Sequence, residues 1–283
     1  MTSPDDPASA PGGAPPILNG TTSSSSSSVA AVPPSHSLEA LCHALHARVE
    51  ALLGTPTQDP ILRDVQAQVR IANDVVDDAL RRYQPNELSL SYNGGKDCLV
   101  LLLLLLARLP AHFSSPSAPS AFPTSLQALY IRPPQPFPEV DAFVASSTKD
   151  YHLDLATSDK PMKPALADYL ADKPNIKAVF VGTRRTDPHG GKLTFFDETD
   201  RDWPRFMRIH PVIDWHYREI WGFIRALQVP YCPLYDMGYT SLGGTDDTLP
   251  NPALKAHEGK PTNTGFRPAY ELMDDDEERL GRE

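Results

Sequence analysis

The sequence predicts an α/β protein: a largely parallel central sheet with helices on both faces, preceded by N-terminal helices and followed by a C-terminal extension. Three observations predict it. Strand-like and helix-like runs alternate between residues 86 and 181, the pattern of parallel strands joined by crossovers. A glycine turn, Ser91-Tyr92-Asn93-Gly94-Gly95-Lys96-Asp97-Cys98, joins a short alternating run to a continuous apolar one. A second polar loop, Gly182-Thr183-Arg184-Arg185, follows another apolar run. Ligands of such sheets sit outside the carboxyl ends of the strands, so the two loops are expected to share one crevice.

Each element has a local reason. Residues 1–36 are rich in Pro, Ala, Gly and Ser, with six consecutive serines at 23–28. Such a segment buries too little apolar surface to offset its ordering entropy, so a disordered tail is expected. Ser37 is placed to cap a helix over 37–53, and Asp59-Pro60 to open a longer one reaching about Tyr83. Leu62, Val65, Val69, Ala72, Val76, Ala79 and Tyr83 recur at three and four, which is one buried stripe. The first strand is expected over 86–92. The helix after the glycine loop is expected to end at Pro110, followed by a Ser/Pro loop over 114–123. Then come a strand at 126–131, a proline-opened helix over 136–148, a short strand at 152–155, a helix at 162–171 and a fourth strand at 176–181.

The glycine loop suggests a phosphate site. Adjacent glycines let backbone N–H groups face an anion at a helix N-terminus, where the dipole also favours negative charge. Lys96 and Asp97 add a cation and a carboxylate to the first turn. It is not a Walker A loop, which needs Gly six residues before the Lys and Ser or Thr after it. Position 90 is Leu and position 97 is Asp. Nor is there a G-x-G-x-x-G. The string resembles the pyrophosphate loop of enzymes that cleave ATP between its α and β phosphates.

Composition bounds the partners. Net charge is −10, which argues against generic nucleic-acid binding. A nucleotide site must therefore gather cations locally, and Arg184, Arg185, Arg201, Arg205 and Arg208 fall close together. Three cysteines, Cys42, Cys98 and Cys232, form no CxxC and no close pair. That disfavours disulfide, zinc and dithiol chemistry and fits a reducing compartment. The most apolar run, 98–107, is too short to span a bilayer. No Lys or Arg precedes Arg48, so no leader peptide is expected and the cytoplasm is the expected location.

The second loop extends into GTRRTDP (182–188), then DWPRFMRI (202–209), His210-Pro211 and Asp214-Trp215. Guanidinium groups fork onto phosphate oxygens; Arg184 and Arg185 read either as such ligands or as surface arginines paired to nearby acids. Trp203 reads either as a stacking platform or as core. Together with SYNGGKDC and the run 211–254, including Pro230-Tyr231-Cys232, Gly238-Tyr239-Thr240-Ser241-Leu242-Gly243 and Asn251-Pro252-Ala253-Leu254, these motifs resemble eukaryotic FAD synthases, the FMN adenylyltransferases of the PAPS-reductase-like PP-loop fold. The resemblance covers about 37–282 outside the 114–123 insertion and implies a single domain over 37–283. It departs from the family pattern at Thr245-Asp246-Asp247, which is acidic where relatives carry a basic residue.

The resemblance implies AMP transfer from ATP to FMN, with magnesium held mainly by the ATP phosphates and Asp97 nearby. Small molecules are the expected partners; no nucleic acid, membrane or obligate protein partner is expected. It implies ATP contacts at Ser91, Tyr92, Asn93, Gly94, Gly95, Lys96, Asp97, Ile131 and Gly182. It implies FMN contacts at Thr183, Arg184, Arg185, Asp187, Asp200, Trp203, Arg279 and Arg282, with Asn93, Asp97, Asp187, Arg279 and Arg282 catalytic. The spacing of Arg279 and Arg282 would put both on one helix face. The acids at 274–278 offer the opposing reading of a solvated end. A sulfonucleotide reductase shares the fold but would need a nucleophilic cysteine in a mobile C-terminal segment, and no Cys follows Cys232. A non-catalytic flavin- or nucleotide-binding module is the remaining alternative.

Overall fold

The computed structural model describes residues 37–115, 121–256 and 264–282. The serine-rich segment 1–36 and part of the 114–123 insertion lie outside the described residues.

Two helices lead in. Helix α1 (Leu38–Gly54) is capped by the Ser37 hydroxyl, which accepts from the Ala40 N–H at 3.2 Å. Helix α2 (Pro60–Arg82) starts at the Asp59 carboxylate, which accepts from the Ile61 N–H at 2.9 Å. Both starts match the sequence expectation. Strand β1 (Leu88–Ser91) then feeds the glycine loop and α3 (Lys96–Phe113). There follow β2 (Leu126–Ile131), α4 (Pro138–Asp150), β3 (Leu153–Ser158), α5 (Met162–Asp172) and β4 (Ala178–Phe180). Two short strands, β5 (Phe196–Glu198) and β6 (Met207–Ile209), and α6 (Tyr217–Ala226) complete the regular elements.

The sheet order is β3-β2-β1-β4-β6-β5. Every neighbour is parallel except β5, which runs antiparallel to β6. From β1 the chain winds outward on one side through β2 and β3, then returns to place β4 on the other side. The reversal lies between β1 and β4, and a crevice opens outside their carboxyl ends.

Period-two alternation sorts the sheet residues. Leu88, Leu90, Ala128, Tyr130, Ala178, Phe180 and Ile209 join the main core with α1, α2, α3 and α6. Leu129, Ile131, Val179 and Val181 face the opposite side and pack with Leu166 and Tyr169 of α5. Helices therefore do cover both faces. Residues 98–107 of α3 are buried on every side, because this helix is sandwiched between the sheet and α1 and α2.

Several element bounds differ from expectation, and two strands are new. The third helix runs through Pro110 to Phe113, and the Ser114 N–H bonds the Pro110 carbonyl at 3.0 Å. Burial of Leu109 and Pro110 outweighs the one hydrogen bond that proline cannot donate. The helix after β2 begins at Pro138, not 136. Strands β5 and β6 were not legible, because three residues are too few for alternation to show.

Candidate active site

The glycine loop is held from several sides. The Tyr92 N–H bonds the Leu129 carbonyl at 2.9 Å, while its buried ring sends the hydroxyl to Ser147 Oγ at 2.8 Å. Asn93 Oδ1 accepts from the Gly95 N–H at 3.0 Å and from Cys98 Sγ at 3.0 Å, closing a side-chain turn. Gly94 has φ +73°, and a Cβ there would lie 2.8 Å from Val144 Cγ2, so both conformation and space require glycine. The Lys96 N–H donates to the buried Tyr235 hydroxyl at 2.8 Å. At Gly182, beyond β4, a Cβ would sit 2.9 Å from the Cys98 nitrogen. Glycine lets the second loop close against the first turn of α3.

A charge cluster lies behind the loop. Lys96 Nζ donates to Asp97 Oδ2 at 3.0 Å and to Glu278 Oε1. Arg184, fully buried, donates to Glu278 Oε2, and its Nε lies 2.7 Å from Asp97 Oδ1 as an ion pair without hydrogen-bond geometry. Asp275 Oδ1 stands 3.7 Å from the same guanidinium and Asp275 Oδ2 pairs with His216. Burial alone would lower the Lys96 pKa, but Asp97 and Glu278 outweigh it and hold it above the usual lysine value. Burial likewise works to raise Asp97, yet Arg184 and Lys96 keep it below the usual carboxylate value. Asp187 differs: burial lifts its pKa, and the Arg184 N–H, 2.8 Å from its Oδ2, only partly opposes that.

Three cavities adjoin this cluster. The first, about 320 Å³, is lined by Ser91, Asn93, Gly95, Lys96, Asp97, Gly182, Thr183, Asp187 and Arg279. The second, about 370 Å³, contains Asp200 and Trp203 with a mainly apolar wall from β2, β4 and α5. It shares Ser91, Val181, Thr183 and Pro188 with the first. The third, about 440 Å³, holds Ile131, Tyr130, Arg132 and Phe137, and meets the first at Asn93 and Leu242.

Some expected residues fall elsewhere. Tyr92 is fully buried and supports the loop from beneath. Arg185 turns away from its neighbour: it pairs with Asp214 at 2.6 Å and donates to the Gly191 and Leu193 carbonyls. Arg205 pairs with Glu198. Arg282 donates to Asp247 Oδ2 at 2.9 Å and lies across Gly243, outside the first cavity. The acidic departure at 245–247 thus holds an arginine. No α-helix joins Arg279 and Arg282; Asp275–Glu277 is one 3₁₀ turn, and consecutive turns send the two side chains to different places.

Glu278, Asp275 and Tyr235 escaped the sequence reading. Glu278 is 5% exposed despite its acidic neighbours. Its backbone is pinned as well: the Thr240 hydroxyl donates to the Glu278 carbonyl at 2.6 Å, and Asn251 Nδ2 donates to the Glu277 carbonyl at 2.7 Å. The available signal was the three-residue spacing of Asp275 and Glu278 beside Arg279.

The phosphoadenosine phosphosulfate reductase domain model matches residues 87–172 and 159–250. A probable FAD synthase of Schizosaccharomyces pombe is 42% identical over 218 residues, covering 77% of this chain and 80% of that protein. The chain belongs to the FAD synthase family. A probable FAD synthase of Caenorhabditis briggsae is 38% identical, but this chain spans only 40% of its length. The crystal structure of Candida glabrata FMN adenylyltransferase with FAD and inorganic pyrophosphate superposes with TM-score 0.81 at 28% identity, over 87% of this chain and 97% of that one. The six-stranded, mostly parallel sheet of this FAD synthase family member is thus the PAPS-reductase-like fold that the motifs predicted. Among its described residues no helix is long and apolar enough to cross a membrane.

Proposed function

We infer that this chain transfers the adenylyl group of ATP to FMN, giving FAD and pyrophosphate. The observation that carries the reading is the shared wall of the first two cavities. A polar cleft at a helix N-terminus and an apolar slot with an indole meet at Ser91 and Thr183. A triphosphate in the cleft and a flavin ring in the slot bring the FMN phosphate to the α-phosphorus.

An FMN phosphate oxygen forms the new P–O bond as the bond from Pα to the bridging oxygen of pyrophosphate breaks. That electron pair leaves on pyrophosphate. The nucleophile is already anionic at neutral pH, so the difficulty is joining two anions. Positioning and charge neutralisation therefore supply most of the catalysis. Lys96 lines the cleft paired to Asp97 and Glu278, Arg184 holds the same carboxylates from behind, Arg279 reaches the cleft from the C-terminal segment, and the N-terminus of α3 adds its dipole. Arg184 acts from behind the loop and Arg185 on the far side, a narrower role than adjacency in sequence implies. Ile131 in the third cavity suits the nucleoside end of ATP.

Among the described residues no group of three or more His, Cys, Asp and Glu could hold a metal. Both Asp97 oxygens face cations. This donor set suits magnesium brought in on the triphosphate, where the ion would neutralise phosphate charge, with Asp97 nearby.

A reductase reading finds no exposed, activated thiol. All three cysteines are buried, with burial pushing Cys98 up to about 12 and Cys232 up to about 11. Three free thiols suit a reducing compartment such as the cytoplasm. Purified protein with ATP, FMN and magnesium should form FAD and pyrophosphate in equal amounts, resolved by chromatography. No FAD under conditions where both substrates bind would leave a binding module.

A further inference from the structure

The second cavity is lined by a buried polar side chain to which the phosphate chemistry gives no role. His210 lies one residue beyond β6 and is 1% exposed, yet neither ring nitrogen has a hydrogen-bond partner. The Val181 backbone lies close enough to favour a ring proton, but not in hydrogen-bond geometry.

Alternation explains where His210 sits. Ile209 enters the main core, so Arg208 and His210 lie on the opposite face, and both line the slot. The β4–β6 register pairs Phe180 with Ile209 and the β1–β4 register pairs Leu90 with Phe180; continued by one residue they set His210 beside Val181, and Val181 beside Ser91. Leu129, Val179, Leu166 and Phe206 make the surrounding wall apolar. Leaving an imidazole buried and unpaired is costly to the fold, a cost a ligand with matching polar atoms would offset.

We propose that His210 is a flavin-recognition residue, whose ring hydrogen-bonds a heteroatom of the isoalloxazine when FMN fills the slot. This rests on the FMN adenylyltransferase reading. A neutral imidazole offers one N–H donor and one acceptor. Isoalloxazine offers an N3–H donor beside its carbonyls, and an N5 acceptor. Burial, reinforced by Arg208, pushes the His210 pKa down to about 4, so the ring is neutral at physiological pH.

The test measures FMN affinity by flavin-fluorescence quenching for wild type, His210→Leu and His210→Asn, with FAD formation followed in parallel. His210→Leu should weaken FMN by about fivefold or more, the scale of one hydrogen bond, with KM for ATP unchanged. His210→Asn, which keeps a polar head, should recover most of the loss. The FMN analogue that removes the contacted group, 3-methyl-FMN for the N3–H donor or 5-deaza-FMN for the N5 acceptor, should bind wild type and His210→Leu alike. A folded His210→Leu that binds FMN as wild type does overturns the proposal. Should that variant fail to fold, the imidazole ¹⁵N shifts of wild type decide: movement on adding FMN supports the contact, and no movement overturns it. Wild type that makes no FAD defeats the parent reading; wild type that makes FAD beside an unaffected His210→Leu defeats only this one.

Discussion

Glu278 and Lys96 stand 182 positions apart in sequence and share a buried, hydrogen-bonded ion pair. The pair ties the last segment of the chain to the first turn of α3. The same carboxylate grips Arg184, so one side chain joins both loops at the sheet's switch point to the segment that brings Arg279 into the cleft.

Glu278→Gln should lower both stability and rate. Removing one partner leaves buried Lys96 and Arg184 undercompensated, a loss of roughly 3–5 kcal/mol in comparable buried pairs. Denaturant titration should show it, with FAD formation falling further at temperatures where the variant remains folded. A variant with wild-type midpoint and rate would mean the contact is incidental.

Asp97→Asn should reduce turnover by about 10²- to 10³-fold, the usual scale for losing one electrostatic contact at the reacting centre. Asp97 faces both Lys96 and Arg184, so some stability goes with it. Initial rates should be taken well below the variant's own melting point. Retention of a tenth of wild-type activity would contradict the role given to this carboxylate.

Gly94→Ala should cost about 1–3 kcal/mol through a left-handed backbone that alanine disfavours, compounded by the 2.8 Å approach to Val144. Gly191→Ala meets nothing within 4 Å and should stay within about 0.5 kcal/mol of wild type. Paired melting curves compare the two, and equal losses would mean the loop geometry is not the constraint.

Trp203→Ala should raise KM for FMN and leave KM for ATP near its wild-type value, because Trp203 lines the apolar slot and not the phosphate cleft. A matching rise for ATP would show that the two cavities do not divide the substrates in this way.

Stability should fall with acid in a way that His210 accounts for. Burial, and then Arg208, hold its pKa down to about 4 from an ordinary 6.5. Below pH 6.5 the unfolded chain takes up a proton that the folded protein refuses. Its contribution is therefore complete above pH 6.5 and is lost as pH drops toward 4, amounting to about 3 kcal/mol at 1.36 kcal/mol per pH unit. Unfolding curves between pH 4 and 7 should show a shallower decline for His210→Asn than for wild type. Parallel declines would place the acid sensitivity elsewhere.

Local signals were legible where the chemistry is local. Ser37 and Asp59 announced their helices because a cap bonds only its own first turn. The run at 98–107 announced a buried helix, and Gly94-Gly95 the bend before it. The mostly apolar run at 126–131 matched β2 to the residue. What escaped was short or nonlocal. Strand β6 exists because β4 and β5 flank it. Helix α6 did carry a local sign, the Glu219 carboxylate accepting from the His216 N–H at 2.8 Å. The two readings of the arginines stayed open because sequence does not show burial: Arg184 and Arg185 are adjacent, yet one is fully enclosed and the other pairs with Asp214 in solvent.

By itself, the sequence determined the fold class, the glycine loop and the family, because caps, glycine turns and apolar periodicity act within a few residues and motif strings survive as text. Only the tertiary structure decided which charges meet. The acids at 274–278 read as a solvated end until the chain's return placed Glu278 between Lys96 and Arg184. Coulomb energies and desolvation depend on distance and burial, and neither is a property of position along the chain.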